Sequence, residues 1–593
     1  MPKPTINELV TQWLEVDVNP ETRQEILDLQ QAGNNEELER RLRTRIAFGT
    51  AGLRSKMEAG FSRLNDVTIL QASQGLADYV SKSSKLYNVV IGHDHRLHSK
   101  RFAEITTTAF LLRGFQVFYL SSSMNGGDLV PTPLVPFAVD YFKADCGVMI
   151  TASHNPAQDN GYKVYWGNGC QIIPPHDHGI AECILQNLEP REHAYNVEQI
   201  MRIGLNNGSL VYAKEEILTA YLLHINATLL KTKVSNLKFI YTPMHGVGLE
   251  VLSKAVQLLG VRDLQTVKEQ MEPDPYFPTV KFPNPEEKGA LDLAMAKADA
   301  QGIDLVIAND PDADRFSAAV KVDGSWRQLT GNEIGYLFAD YIYKTYEGEL
   351  SKVYFVNSTV SSQMIRSMAD KLGLNYVDTL TGFKWIGNKA IDLEKEGYSV
   401  PFGFEEAIGF MFSGIHDKDG IAAAIVFLQM AQSWADEGTN AIEVLEKGFE
   451  NFGYYKEYNS YYIVPDLSLT KTIFDRIRYD FKDEKDHYPK QVGDYSISYW
   501  RDLTQGYESD TVNNIPNLPV DESSQMITVQ LTTESNVEHI RFTMRGSGTE
   551  PKLKVYIEAR AESEDRSAFL AKDVWDTLRN EWFKPEETGL LEN

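Results

Sequence analysis

CGVMITASHNPAQDNGYK, running from Cys146 to Lys163, is the stretch from which the fold can be worked out. Its first five residues are apolar and short, the pattern of a buried strand. The small and polar residues that follow leave Ser153 at the strand's end, where α/β folds put their chemistry. Ser153 is therefore a candidate nucleophile, although a serine at such a place also serves as a helix cap or turn residue. Its neighbours in the rest of the chain decide between the two.

The same grammar, an apolar run ending in a polar loop, recurs along the chain in pairs. VVIGHDHR (Val89 to Arg96) pairs with VMITASHNP (Val148 to Pro156), FIYTPMHG (Phe239 to Gly246) with VIANDPDADR (Val306 to Arg315), and YFVNSTVSS (Tyr354 to Ser362) with VPFGFEEAIG (Val400 to Gly409). Helix-like stretches such as SKRFAEITTTAFLLRGF and SSQMIRSMADKLGL lie between members of a pair, so each pair reads as βα units of one α/β domain. After about residue 448 the character changes to aromatic and β-branched runs with a polar tract around Asp502 to Ser524. The fold expected is α/β with four domains: three related mixed α/β-sheet domains and a C-terminal α+β phosphate-binding domain around a central cleft. The boundaries expected are 1–213, 214–327, 328–447 and 448–593.

DLVIANDPDADRF (Asp304 to Phe316) ends a strand-like run with Asp310, Asp312 and Asp314 at alternate positions, followed by Arg315. Carboxylates this close repel unless a cation lies among them, and oxygen-only ligands beside phosphate chemistry suit Mg²⁺. An EF-hand would need Gly at the sixth position and Glu at the twelfth, where this chain has Arg315 and Lys321. Near the C-terminus, TMRGSGTEPKLKVYIEAR (Thr543 to Arg560) offers the opposite sign. Arg545 has a planar fork, Ser547 and Thr549 have hydroxyls, and the glycines around them, Gly548 included, let backbone N–H groups converge on an anion. A hairpin turn would also accept Gly-Ser-Gly, so this loop is weak on its own. HDHRLH, with His93, His95 and His98, is expected to be a polar strand-end loop whose Arg96 contacts the cleft.

Composition bounds the rest. The 593 residues suffice for about three to five domains at roughly 100–200 residues each. Hydrophobic residues at 42% and charged residues at 24% are those of a globular protein with a large core. A net charge of -25 argues against nucleic acid or an anionic membrane as main partner, so phosphorylated ligands must be drawn in by local cations. Three cysteines, Cys146, Cys170 and Cys183, without CxxC spacing indicate neither a disulfide framework nor a zinc site. The start MPKPTINELV has no signal pattern and the run Ile421 to Ala431 is too short to span a bilayer, so a cytoplasmic enzyme is expected.

Five motifs together resemble one family. FGTAGLR (Phe48 to Arg54), TASHNP, DPDADR, TGFK (Thr381 to Lys384) with GFEEAIG, and RGSGTEP stand in the order found in the α-D-phosphohexomutase superfamily. The chain is similar along nearly its whole length, and most of all to the branch of phosphopentomutases, phosphoglucomutase-2-like proteins and fungal phosphoribomutases. The resemblance implies that Ser153 carries a phosphoryl group and that a phosphoserine oxygen joins Asp310, Asp312 and Asp314 around Mg²⁺. It also implies a bound sugar bisphosphate, ribose 1,5- or glucose 1,6-bisphosphate, as intermediate and activator. Arg54, Lys163 and Lys418 are candidates for proton transfer and charge stabilisation, and a lysine is a base only if its pKa is lowered. His154, adjacent to the serine, is expected to orient or to contact an anion, because chain neighbours rarely point at each other.

Arg54, Arg315, Thr381, Gly382, Lys384, Glu405, Glu406 and Lys418 are expected to contact the sugar phosphate, and Arg545, Ser547, Gly548 and Thr549 the phosphate opposite Ser153. Hexose-specific family members read E-E-S where this chain has Glu405, Glu406 and Ala407. Loss of that hydroxyl implies ribose 1-phosphate and ribose 5-phosphate, or their deoxy forms, as preferred substrates and glucose phosphates as secondary ones. The alternatives are a phosphoglucomutase or a glucose-1,6-bisphosphate synthase. Outside the family stand a haloacid-dehalogenase-like phosphatase, whose pattern Ala313, Asp314 and Arg315 do not fit, and a non-enzymatic sugar-phosphate sensor. A monomer or weak homodimer is expected.

Overall fold

The computed structural model describes residues 3–83, 86–123, 126–481, 488–535, 537–547 and 551–592. They form two compact units, one of residues 1–346 and 383–439, the other of residues 347–382 and 440–593. In the first unit a six-stranded mixed sheet runs in the order Leu53–Lys56, Asp159–Trp166, Cys146–Ile150, Asn88–His93, Gln116–Tyr119, Leu210–Tyr212. Its middle strands are parallel, and Asp159–Trp166 folds back antiparallel on Cys146–Ile150. Parallel strands covered on both faces read as unbroken apolar runs, and all five residues of Cys146–Ile150 are buried. Helices Asp66–Ser81 and Ser99–Leu112 join this core; Asn65 caps the former, its side chain accepting from the Thr68 N–H while the Thr68 hydroxyl accepts from its own.

A second mixed sheet, of five strands, is ordered Ser325–Gln328, Phe316–Val322, Leu305–Asn309, Ile240–Thr242, Gln265–Thr266. The run Leu305–Asn309 is buried throughout and delivers Asp310 at its carboxyl end. The first unit also holds the hairpin Ser399–Glu405 with Gly409–Phe412 and the helix Gly420–Glu437. Phe316, Phe338, Phe410 and Phe427 pack in tilted and edge-to-face pairs here, with Phe316–Phe427 and Phe338–Phe410 centroids 5.2 and 5.0 Å apart. Such rings contribute about 0.5–1.5 kcal/mol per pair beyond area burial. They tie the strand after the aspartates to the hairpin that bears Glu405.

The second unit contains the parallel strands Val353–Ser358 and Asn375–Thr379 and an antiparallel C-terminal sheet. Lys552–Ala561 alternates buried and half-buried residues along its ten positions, as a strand with one packed face must. Helix Glu564–Leu578 packs on that strand and on its partner Tyr454–Ile463. The α/β class expected from the paired motifs, with a fourth domain of different character, is the class observed. No helix among the described residues is long and apolar enough to cross a membrane.

Candidate active site

Ser153 stands three residues beyond the strand Cys146–Ile150 with φ +53°, a left-handed backbone that costs a non-glycine residue roughly 1–2 kcal/mol. What holds it is on both sides of the loop. The Thr151 hydroxyl accepts the Ser153 N–H at 2.9 Å, and the Arg96 guanidinium donates to the carbonyls of Ser153 and Asn155 at 2.7 and 2.6 Å. The Ser153 hydroxyl donates to Asp310 Oδ2 at 2.8 Å. Contrary to expectation, His154 does turn toward its neighbour, its Nδ1 lying 3.2 Å from Ser153 Oγ, because the positive φ reverses the chain there. Burial, then the Arg315 and Arg54 charges, push the His154 pKa well below its ordinary value, so the imidazole is neutral.

Asp310, Asp312 and Asp314 are fully buried, and one oxygen from each lies within 4.8 Å of the others. Ala313, at φ +56°, makes the turn that points the alternate carboxylates together. Asp312 Oδ2 accepts from Lys163 Nζ at 2.8 Å and from the Thr132 hydroxyl at 2.6 Å; Asp314 Oδ2 accepts from Lys163 at 3.0 Å and has Lys418 Nζ at 3.3 Å. The remaining oxygens, Asp312 Oδ1 and Asp314 Oδ1, are buried without a hydrogen bond. A buried carboxylate oxygen is costly to leave so. All-oxygen donors with unsatisfied lone pairs beside the Ser153 hydroxyl fit a hard divalent cation of the Mg²⁺ kind. Burial and the two neighbouring carboxylates push Asp310 well above the usual range; for Asp312 burial acts the same way, but the Lys163 ammonium overrides it.

Neither lysine has the lowered pKa a base requires. Burial works against the Lys163 charge, yet Asp312 and Asp314 outweigh it and hold the ammonium above its ordinary range. Lys418 is raised in the same way by Asp314, Asp417 and Glu405. Glu405, half-buried at the end of its strand, has its carboxyl pushed up to about 7 by burial, partly offset by Lys418 and Arg315. Gly409 sits between these groups: a Cβ there would lie 2.5 Å from Lys418 Cδ and 3.0 Å from Glu405 Cγ. A bridge between Arg315 and Gly409, with the Phe316 N–H donating to the Ile408 carbonyl at 3.1 Å, locks the aspartate loop to the hairpin turn.

Arg54 comes from the edge strand Leu53–Lys56, paired with Gly161, and its guanidinium donates to Asn155 Oδ1 at 3.1 Å. Gly52 precedes it at φ +72°, and a Cβ there would lie 1.8 Å from the Tyr162 carbonyl oxygen, so no other residue fits. Lys384 donates to the Thr50 hydroxyl of the same loop. Ser153, His154, Arg54, Lys163, the three aspartates, Arg315, Lys384, Glu405, Glu406 and Lys418 thus all belong to the first unit. Thr381, Gly382, Arg545 and Ser547 belong to the second. There the Arg545 guanidinium donates to the Tyr556 hydroxyl at 3.3 Å and the Ser547 N–H to the Lys552 carbonyl at 2.8 Å. Gly548 and Thr549 lie outside the described residues.

A second expectation is corrected. Arg96, expected to contact the cleft, is turned inward: its side chain is buried and both terminal nitrogens are committed to carbonyls of the loop from Ser153 to Asp159. A guanidinium in a dry site needs partners for its donors: the loop takes those of both terminal nitrogens, while Nε, 3.4 Å from Asp94 Oδ2, is left without a hydrogen bond. Sequence reasoning also missed Thr132, whose hydroxyl and N–H both bind Asp312, the N–H to the main-chain carbonyl at 2.8 Å. Nothing in TPLVP distinguishes it from a turn.

A serine hydroxyl hydrogen-bonded to a buried triad of oxygen donors, at the ends of strands of two α/β sheets, is an arrangement suited to phosphoryl transfer. The chain belongs to the phosphoglucomutase/phosphomannomutase family: the models of its α/β/α domains I, II and III match residues 45–191, 219–324 and 330–452. Within it the chain is a mutase of the phosphopentomutase-like branch. It is 54% identical to the phosphoribomutase of Saccharomyces cerevisiae, over 98% of this chain and 97% of that protein. It is 40% identical to the phosphopentomutase of Homo sapiens (99% and 97%) and 37% to the human glucose 1,6-bisphosphate synthase (99% and 96%).

Proposed function

We propose that the chain interconverts ribose 1-phosphate and ribose 5-phosphate, with deoxyribose phosphates as further substrates and glucose phosphates as secondary ones. The observation that carries the mechanism is the 2.8 Å hydrogen bond from Ser153 Oγ to Asp310 in a triad with two unsatisfied oxygens. Ser153 is the phosphoryl carrier. Its phosphoryl passes to the free hydroxyl of a sugar monophosphate, giving a bound bisphosphate; the other phosphoryl of the turned-over bisphosphate then returns to Ser153. Asp310, Asp312 and Asp314 hold Mg²⁺, which supplies neutralisation of phosphoryl charge when bound.

Lys163, Lys418, Arg54 and Arg315 supply fixed positive charge around the phosphoryl, the main requirement of phosphoryl transfer. As ammonium ions the two lysines can only donate protons. The groups left to accept one from the sugar hydroxyl are the neutral imidazole of His154 and Glu405, whose carboxyl sits near 7. Glu405, Glu406, Lys384, Thr381 and Gly382 contact the sugar or its phosphate, and Arg545, Ser547, Gly548 and Thr549 the phosphate opposite Ser153. The four domains are 1–213, 214–327, 328–447 and 448–593.

Ala407 in the turn after Glu405, without a hydroxyl, and the printed names of the two relatives first described support the pentose preference. A second reading, a glucose-1,6-bisphosphate synthase, is favoured by the third. The test is a mutase assay with Mg²⁺ and a bisphosphate activator, comparing kcat/KM for ribose 1-phosphate and glucose 1-phosphate, with Ser153→Ala as control. A pentose preference lost in Ser153→Ala supports the proposal; preferred glucose 1-phosphate, or net release of bisphosphate from an acyl phosphate donor, replaces it. We also place the enzyme in the cytoplasm, as a monomer or weak homodimer without nucleic-acid or membrane partners. Three free, buried cysteines and the net charge of -25 support this.

A further inference from the structure

The Arg96 guanidinium that fixes the serine loop is itself covered by a ring from a distant part of the chain. Its two terminal nitrogens donate to four carbonyls, of Ser153, Asn155, Pro156 and Asp159, at 2.7, 2.6, 2.8 and 3.2 Å. Asp94 Oδ2 is 3.4 Å from its Nε. In-plane donors orient a guanidinium but leave its faces open. The guanidinium lies over the ring of Phe277, Arg96 Cζ 5.0 Å from the ring centroid, and the Phe277 side chain is buried.

Phe277 belongs to PDPYFPTVKFPNPEEKG, residues 273–289, a segment without helix or strand. Its backbone stands at φ +48°, a conformation an aromatic residue adopts only when its surroundings impose it. Hydrogen bonds on both sides of it do so. The Asp274 N–H donates to the His245 carbonyl at 2.9 Å, and Thr279 Oγ1 lies 2.8 Å from His245 Nε2 and accepts from Gln270 Nε2 at 2.9 Å. Gln270 Oε1 in turn accepts from the Thr242 hydroxyl at 2.6 Å. Thr242 ends, and His245 follows, the strand Ile240–Thr242 of the same sheet that delivers the aspartates. The ring is thus pinned by the sheet that carries Asp310 and rests on the arginine that fixes Ser153.

We propose that Phe277 is a positioning residue: through Arg96 it sets the distance between the Ser153 hydroxyl and the aspartate triad. A dry arginine–aromatic face contact biases a loop whose serine is held in a strained conformation. A displacement of about 1 Å at a reacting group costs up to about 10²-fold in rate. The proposal rests on Ser153 being the phosphoryl carrier.

The test compares Phe277→Leu, which removes the ring face, with Phe277→Tyr, which keeps it, and with Arg96→Lys, using ribose 1-phosphate and glucose 1-phosphate. The expected result for Phe277→Leu is a fall in kcat of about 10- to 100-fold with KM changed less than about twofold. Hydrogen exchange over residues 151–159 rises in parallel, and Phe277→Tyr restores both. Combining Phe277→Leu with Arg96→Lys adds little to either alone, because the two act in series. Additive losses, a kcat within twofold of wild type in folded Phe277→Leu, or equal loss in the leucine and tyrosine variants, overturns the proposal. Should Phe277→Leu fail to fold, exchange over 151–159 in Phe277→Tyr and Arg96→Lys decides: a loop protected as in wild type in both overturns it. If the wild type turns over neither sugar phosphate, the mutase reading has failed instead, and the exchange data still judge the clamp.

Discussion

Lys163 Nζ lies 2.8 Å from Asp312 Oδ2 and donates at 3.0 Å to Asp314 Oδ2 as well, so one ammonium joins two of the three carboxylates. Lys163 comes from the strand Asp159–Trp166 of one sheet, and the aspartates follow Leu305–Asn309 of another. This contact therefore fastens the serine-bearing sheet to the aspartate loop.

Replacing Lys163 by Met removes the ammonium and keeps the length of the side chain. We expect kcat to fall by about 10²–10³-fold, the range for losing one preorganised donor to a developing anion. Steady-state assay with saturating Mg²⁺ checks it; a loss confined to KM would show that Lys163 only binds substrate. Because the lysine is already protonated, wild-type kcat should not fall on acidification through any lysine-like pKa.

Removing divalent cations with a chelator should abolish turnover reversibly, and adding Mg²⁺ should raise the melting temperature, since a ligand that binds the folded state stabilises it. In Asp312→Asn the Mg²⁺-dependent rise should shrink, because a buried oxygen donor loses its charge. Scanning calorimetry with and without Mg²⁺ reads the difference. An undiminished rise in the variant would mean that the cation binds elsewhere.

Gly409→Ala places a methyl group 2.5 Å from Lys418 Cδ and 2.9 Å from a ring carbon of Phe383. Overpacking of this kind costs about 1–3 kcal/mol. We expect a lower melting temperature together with a raised KM for the sugar phosphate, because Lys418 and Glu405 are pushed apart. Unchanged KM would remove those two side chains from the substrate site.

Ala407→Ser restores a hydroxyl in the turn of the Glu405 hairpin. The ratio of kcat/KM for glucose 1-phosphate to that for ribose 1-phosphate should rise by up to about tenfold, the scale of one net hydrogen bond. A constant ratio would locate the sugar preference outside this turn.

Glu558, in the C-terminal sheet, has its carboxyl pushed up to about 7 by burial, against the Gln363 N–H, which donates to it at 2.8 Å. The folded state then keeps a proton that the unfolded chain has already released. Between about pH 4.5 and 7 stability should therefore fall as pH rises. Glu558→Gln, which cannot ionise, should lose that slope; denaturant melts across this window compare the two, and identical slopes would show that Glu558 ionises normally.

The sequence by itself determined which residues the candidate site gathers around Ser153 and the aspartates. A strand ending in Ser153, aspartates at alternate positions in DPDADR, and the order of five motifs were legible because strand-end loops carry their function within a few consecutive residues. Paired strand–loop units made the α/β class legible for the same local reason. The tertiary structure decided whatever depends on two distant segments meeting. Thr132 becomes a partner of Asp312 only when the loop before helix Leu134–Phe142 reaches the second sheet. Lys163 and Lys418 are fixed as cations only by the carboxylates packed against them. Arg96, expected to contact the cleft, is buried because the carbonyls from Ser153 to Asp159 and the ring of Phe277 close around it. Burial and charge pairing are properties of packed neighbours far apart in the chain, and a linear pattern carries the residues but not their meeting.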